Sequence, residues 1–437
     1  MLNKVCLWEE KNYSGSLALS FYLAYILHVH TVYMAPLLYP LDMDRTSHRL
    51  KSRTCAGNGH GQPGLSLDQV KEYVVALQNS LQDRKAHKII DRKLRQFQKT
   101  KQAWAIAVTL IQIPSGEPYR VELTHFGATT LVDKIRHDCE KQLSSENDQM
   151  QLCNTLLNAV YTMYSEIATG SSVEQAAMRP SFKELALALA ALAVRVQGWD
   201  DFVGGIVQAF VGKQSNSSNE MIQLGLTNVP LPSMEVLPCI LSVIKELPEE
   251  ANYLMEKRSL GQERNQKIQA ILNQSSPGVL NLLNHVFHDT SSQNSHLSRE
   301  VFRCFTSWLK CASPSPDQVS QSVLIDYAFT SIQNEDAICD VALDSIIQVV
   351  TSFNIPDNHR VVMEKIARKA VQFHSIVDKA VTDEDLDSLW DLARLFVNIG
   401  EEFIDWILRE TSAIHVSNAV IPTSSSGSGL QYFSCAA

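Results

Sequence analysis

The sequence lacks the short motifs that mark common chemistry. Its 437 residues contain no phosphate loop, no G-x-S-x-G elbow and no H-E-x-x-H. That leaves no phosphate cradle, no activated serine and no zinc-protease site to build on. There is no C-x-x-C pair either, and none of the nine cysteines stands near a histidine at zinc-ligand spacing. Cys153, Cys239, Cys304 and Cys339 fall inside apolar periodic stretches and read as reduced, buried thiols of an intracellular chain. In that setting the sequon Asn216-Ser217-Ser218 carries no sugar. A basic excess is missing as well. The net charge of −9 argues against a general nucleic-acid binder and suits basic partners.

Isolated candidates fail on context. His285 and His288 stand three apart on a predicted helix, but no third ligand lies nearby, so they read as partly exposed histidines. Gly59 to Gly64 spells a literal G-x-G-x-x-G. The preceding HRLKSRTCA is basic and unpatterned, whereas a dinucleotide site needs a buried strand there, so the stretch is a flexible linker. The pairs Glu249-Glu250 and Glu401-Glu402 read as solvated charge at helix ends. The expectation is a non-enzymatic protein without cofactor or metal.

What the sequence does have is helical periodicity. From Leu65 onward apolar residues recur three and four apart, with breaks at Pro, Gly, Ser and Asn, and no convincing strand run appears. Leu67, Val70, Tyr73, Val74, Leu77 and Leu81 form one stripe, with Ser66 placed to cap it, and Ile89, Ile90, Leu94 and Phe97 form the next. The run continues through Trp104–Ile113, Phe126–Cys139, Met150–Ile167, Phe182–Val196, Trp199–Val211 and Met234–Leu247. It resumes in Val279–Phe287, Val301–Leu309, Val323–Ile332, Ala337–Val350, Val361–Val377 and Leu386–Leu408. Two helices recur about every forty to forty-seven residues, the period of HEAT and armadillo arrays. The stretch ELALALAALAVRVQ, apolar nearly all round, must lie sandwiched between repeats, with Arg195 near its end complementing the helix dipole. The predicted fold is an all-α solenoid of antiparallel helix pairs, with Trp104, Phe305 and Trp308 in the core.

The ends read differently. No Asp, Glu, Lys or Arg occurs from Asn12 to Leu41, and Leu17 to Leu41 is long enough to cross a bilayer. His28, His30, Thr31, Pro36 and Pro40 interrupt it, so residues 1–64 are taken as a divergent extension outside the solenoid, with a membrane span over 17–41 as the rival. Residues 65–141 form an opening set of repeats, 142–408 further repeats and 409–437 a Ser/Gly-rich tail.

Charge is unevenly placed. Arg84, Lys85, Lys88, Arg92, Lys93, Arg95, Lys99 and Lys101 crowd the second helix, opposed by Asp83 and Asp91. Asp378, Asp383, Glu384, Asp385, Asp387, Asp391, Glu401, Glu402 and Asp405 gather near the end, with Lys379 and Arg394 as local bases. Such runs are usually solvated helix faces, although a solenoid can also present them to a ligand.

Several segments resemble a known family. LSLDQVKEYVVALQNSL, QAWAIAVTLIQI, HFGATTLVDKI, FKELALALAALAVRVQGWDDFV, VLPCILSVIKELPEE, VFRCFTSWLK and DLARLFVNIGEEF are similar, in order and spacing, to importin-β-type receptors from about Leu65 to Trp406. The importin-thirteen and transportin-SR branch matches best. The resemblance implies stacked HEAT repeats and nucleocytoplasmic transport between cytoplasm and nucleus. It also implies binding of protein cargo, nucleoporins and the small GTPase Ran in its GTP form, without direct contact to nucleic acid. It places an N-terminal GTPase contact on the helix from Phe126 and Gly127 through Lys134, with Phe126 and Gly127 packing rather than touching the partner. Acidic positions of later repeats would meet the GTPase's basic surface, which implicates Asp383, Glu384, Asp385, Asp387 and Asp391. The same periodicity also permits a HEAT scaffold that binds proteins without any GTPase.

Overall fold

Ser66 starts the first described helix as its position requires. Its hydroxyl accepts from the Gln69 N–H at 3.3 Å, and the Gln69 side chain accepts from the Ser66 N–H at 2.9 Å. This reciprocal pair satisfies two of the amides that every helix start leaves open. The computed structural model describes residues 65–143, 145–196, 201–213, 221–224, 227–257, 261–290, 295–334 and 337–419. Residues 1–64, with the extension, membrane-span and glycine-linker readings, and 420–437 of the tail lie outside the described residues, as does the His288 side chain.

The described helices begin with α1 (Leu67–Asn79), α2 (Arg84–Gln98), α3 (Ala103–Ile111), α4 (Arg120–Gln142), α5 (Glu146–Thr169), α6 (Ser172–Arg195) and α7 (Phe202–Val211). A hairpin of β1 (Met221–Leu224) and β2 (Thr227–Pro230) follows. Then come α8 (Leu237–Glu256), α9 (Gln262–Thr290), α10 (Ser295–Cys311), α11 (Pro316–Gln321), α12 (Val323–Gln333) and α13 (Cys339–Ser352). A second unit, from Phe353, carries α14 (Pro356–Val371), α15 (His374–Thr382) and α16 (Leu386–Ala419).

The chain is all-α, with helix pairs stacked in series as in an α-solenoid. In the first unit α4, α6, α8, α10 and α13 pack each on the next as one row. Against it lie α3 on α4, α5 on α6, α9 on α10 and α12 on α13. Each pair buries its apolar face on its neighbours, so the core runs along the row. From Leu185 to Val194 every residue of α6 but the half-buried Leu187 is buried between α4 and α8, as its all-round apolar character demands. Trp104, Phe305 and Trp308 are core residues as expected.

Hydroxyls stitch the row together. Ser181 of α6 donates to the Val121 carbonyl at 3.0 Å, Ser307 of α10 to the Lys245 carbonyl at 2.6 Å, and Thr306 bonds Ser345 of α13 at 2.8 Å. Pro248, inside α8, has no N–H for the Ile244 carbonyl one turn back. The Trp308 indole N–H donates to that carbonyl instead, at 3.1 Å from the next helix of the row. One residue thus fills the core and repairs the proline defect.

The structure corrects several expectations. The region in which no convincing strand run appears holds one short hairpin, pairing Ile222 with Val229 and Leu224 with Thr227. Strands of four residues are too short to show a period, and only Leu224 and Val229 are buried. The hairpin is held closely by glycines. A Cβ at Gly278 of α9 would overlap the Gln223 carbonyl and lie 2.9 Å from Leu224 Cα, and one at Gly204 of α7 would meet Thr227 and Asp201. Leu81 falls beyond the end of α1 and is exposed. Ile89 sits one residue off the Ile90–Leu94–Phe97 stripe, so the helix turns it outward and it is 56% exposed. Cys339 is half-buried at the start of α13, whereas Cys153, Cys239 and Cys304 are buried. Val361–Val377 divides into α14 and α15 around Phe373, and the Phe182 helix begins ten residues earlier, at a Ser171–Glu174 capping box.

Candidate partner-binding surfaces

Among the described residues, two exposed, charged helix faces and one buried charge ladder stand out as polar features. The acidic face belongs to the second unit. α15 ends at Asp383, whose N–H bonds the Lys379 carbonyl at 2.8 Å, and Glu384 takes a left-handed backbone (φ 54°) that reverses the chain into α16. Asp385 caps α16, accepting from the Ser388 hydroxyl at 2.7 Å and from the amides of Asp387 and Ser388 at 3.2 Å. The Ser388 side-chain and backbone bonds hold its carboxyl below the ordinary aspartate range.

Asp383, Glu384 and Asp387 are exposed, and Asp391 is half-buried one turn further along α16. The same turn exposes apolar surface: Leu386 is 70% and Trp390 50% exposed, and Val381 of α15 is exposed beside them. The buried stripe of α16 runs through Leu392, Leu395, Phe396, Ile399 and Phe403, and Leu386 and Trp390 lie off it. Glu401 and Asp405 are exposed, while Glu402 accepts from Asn354 at 2.6 Å.

The basic face is α2 in the first unit. Arg84, Lys85, Lys88, Arg92, Lys93, Arg95 and Lys99 are exposed around Ile89. Asp83 is used as the helix cap, and Asp91 is held by Arg95 at 2.9 Å. Lys93 bonds the Tyr73 hydroxyl at 3.1 Å and lies over its ring.

Lys134 of α4 is 3% exposed, with its Nζ on Asp138 at 2.9 Å. Gly127, on the same helix, is a packing position, since a Cβ there would lie 2.9 Å from Leu110 Cβ and 3.0 Å from the Ala107 carbonyl. Phe126 stacks on Phe97 with ring centroids 6.4 Å apart.

The charge ladder was not legible in the sequence. Glu250, read as a solvated helix end, lies within α8 and is 2% exposed. Its carboxylate takes Arg136 of α4 through two nitrogens and Arg195 of α6 at 3.5 Å, and Arg136 also lies over the Tyr253 ring. Burial is the largest single influence and works against the Arg136 charge, but the Glu250 bond together with the charges of Glu250, Tyr253 and Glu184 raises the pKa. Burial lowers that of Arg195, with Glu250 only partly compensating. Arg195 Nη1 also bonds the Ala191 carbonyl at 2.8 Å, consistent with its expected place near a helix C-terminus. One helix further on, Lys245 of α8 meets Glu300 of α10 at 3.2 Å, and Arg303 meets Glu300 at 2.7 Å. Burial opposes ionisation of Glu300, but Lys245 and Arg303 hold its carboxyl below the usual range, while burial pushes Glu246 up. Arg299 of α10 reaches Asp340 of α13 at 2.9 Å. The row is therefore joined by ion pairs from α4 to α13.

Burial pushes the Cys311 thiol up to about 11 and Cys153 to about 12, with Cys239 and Cys304 higher still. Such thiols stay protonated and unreactive. Among the described residues no group of three His, Cys, Asp or Glu is placed to hold a metal, and no helix is long and apolar enough to cross a membrane.

This arrangement defines a helical-repeat protein of the α-solenoid class. Residues 181–346, from α6 to α13, match the exportin 1-like protein family. An uncharacterized protein of Schizosaccharomyces pombe is 24% identical over 319 residues, covering 72% of this chain and 29% of that protein. The mRNA transport regulator MTR10 of Saccharomyces cerevisiae is 22% identical over 323 residues, covering 70% of this chain and 29% of the regulator. The chain thus matches less than a third of the length of these relatives. The exportin 1-like match and the likeness to the transport regulator support the importin-β side of the resemblance, without distinguishing a branch.

Proposed function

We propose that the chain is a nuclear transport receptor of the importin-thirteen and transportin-SR type. It moves between cytoplasm and nucleus and binds protein cargo, nucleoporins and Ran in its GTP form. The observation that carries this reading is the exportin 1-like match over residues 181–346, which falls on the stacked row from α6 to α13. Likeness to an mRNA transport regulator supports it. Within the reading, Asp383, Glu384, Asp387 and Asp391 attract the GTPase's basic surface, Asp385 holds the turn that presents them, and Lys134, buried and bonded to Asp138, braces the helix of the N-terminal contact region rather than touching the partner.

Exposed carboxylates act mainly on the rate of encounter, because charges are screened beyond about 8 to 10 Å at physiological ionic strength. The test is association of Ran-GTP with the wild type and with Asp383→Lys/Glu384→Lys/Asp387→Lys, which spares the Asp385 cap. The triple reversal should slow association about tenfold or more at low salt and flatten its salt dependence, with a smaller change in dissociation. Absence of wild-type binding would remove the receptor reading, and equal rates would remove the cluster from it.

A further inference from the structure

The two exposed charged faces carry matching patterns. On α16, Asp387 and Asp391 repeat at four residues beside Leu386 and Trp390 at the same spacing, and Asp383 and Glu384 precede them. On α2, Arg84, Lys88 and Arg92 repeat at four residues beside the exposed Ile89. Four residues of helix rise about 6 Å, so the carboxylates and the cations stand at a common interval along their helices. Each stripe of charge also runs alongside large apolar side chains that its own unit leaves uncovered. Asp83 and Asp91, the acids of α2, are already engaged as a cap and by Arg95.

We infer that a second copy of this chain docks here, laying the basic face of its α2 on the acidic turn between α15 and α16. Ile89 of one copy packs on Leu386 and Trp390 of the other, and Lys88 and Arg92 meet the exposed carboxylates of Asp383, Glu384 and Asp387. The occupant follows from charge complementarity, since α2 offers cations at the interval of these carboxylates together with an apolar residue to cover the exposed tryptophan. The contact is heterologous, so a pair joined by one such contact leaves one face of each kind free. A single helix-on-helix contact is small, and most of its attraction is ionic, so association is weak and salt-sensitive. This inference does not rest on the transport reading, and its test uses this chain alone.

Sedimentation velocity of the full chain over a hundredfold concentration range tests it. At about 50 mM salt the weight-average mass should rise with concentration, and at about 500 mM it should stay monomeric because screening shortens the reach of the charges. The variants Asp383→Lys/Asp387→Lys and Arg84→Glu/Lys88→Glu/Arg92→Glu should each stay monomeric. Their equimolar mixture should associate again, since opposite faces are restored between unlike chains. Ile89→Asp, which leaves every basic residue in place, should weaken association of the wild type. A chain that stays monomeric at low salt, association that survives both reversals, or a mixture that does not recover would overturn the proposal. Mass independent of concentration would do so too, including the case in which the faces pair within one molecule or serve another protein.

Discussion

Glu250 faces two arginines from two other helices, and Arg195 has one nitrogen, Nη2, buried without a hydrogen-bond partner among the described residues. Replacing Glu250 by alanine leaves the buried Arg195 guanidinium without its carboxylate partner and leaves the part-exposed Arg136 with Glu184 as its remaining acidic neighbour. Loss of one member of a buried pair typically costs about 3–5 kcal/mol, and urea unfolding of Glu250→Ala should show a loss of that order. A change below about 1 kcal/mol would mean that water reaches the cluster and screens it. Glu300 gives a pH-dependent counterpart. Its folded pKa is depressed, so its contribution is fully present above the unfolded value near about 4.3 and is lost as pH falls through the folded value. The stability difference between wild type and Glu300→Gln should therefore be steady from neutral pH down to about 5 and shrink below about 4. Burial raises the pKa of Glu246, which acts in the opposite sense, and because Glu246 and Glu300 share Lys245 the difference reports the three groups together.

At the scale of elements, α8 depends on its neighbour. Trp308→Phe keeps most of the packing but removes the indole N–H from the Ile244 carbonyl that Pro248 leaves open. A buried acceptor without a donor costs about 1–3 kcal/mol, and Trp308→Ala should cost about 3–5 kcal/mol because it adds a cavity. If Trp308→Phe unfolds at the wild-type urea concentration, the indole bond contributes nothing. Much of the element pattern was legible, because a helix that must bury a stripe declares its period locally. Ser66 with Gln69, and the all-apolar run from Leu185 to Val194, required no knowledge of their neighbours. The ladder was hidden for the opposite reason, since Arg136 stands 114 residues before Glu250 and nothing local marks the pair. The hairpin was hidden by its length, and the exposure of Ile89 and Trp390 by their lying next to a real stripe. In both helices the signal was available as a one-residue offset from the buried register.

At the scale of the whole molecule, serial stacking sets what kind of function is open to the chain. A row of helices joined by hydroxyl bonds and ion pairs, with unreactive thiols, presents long surfaces on which other proteins can dock. The acidic residues from Asp383 to Asp391 were legible as a charge excess. Their division into a cap at Asp385 and exposed carboxylates at Asp383, Glu384 and Asp387 required the turn geometry. The transport reading depends on one property that a helical scaffold lacks, which is sensitivity to the nucleotide on its partner. The direct measurement is the equilibrium affinity of the purified chain for Ran loaded with GTP and with GDP under identical salt. The account predicts at least about tenfold tighter binding of the GTP form, a difference of about 1.4 kcal/mol. Equal affinity for the two forms, or no binding of either, would contradict it.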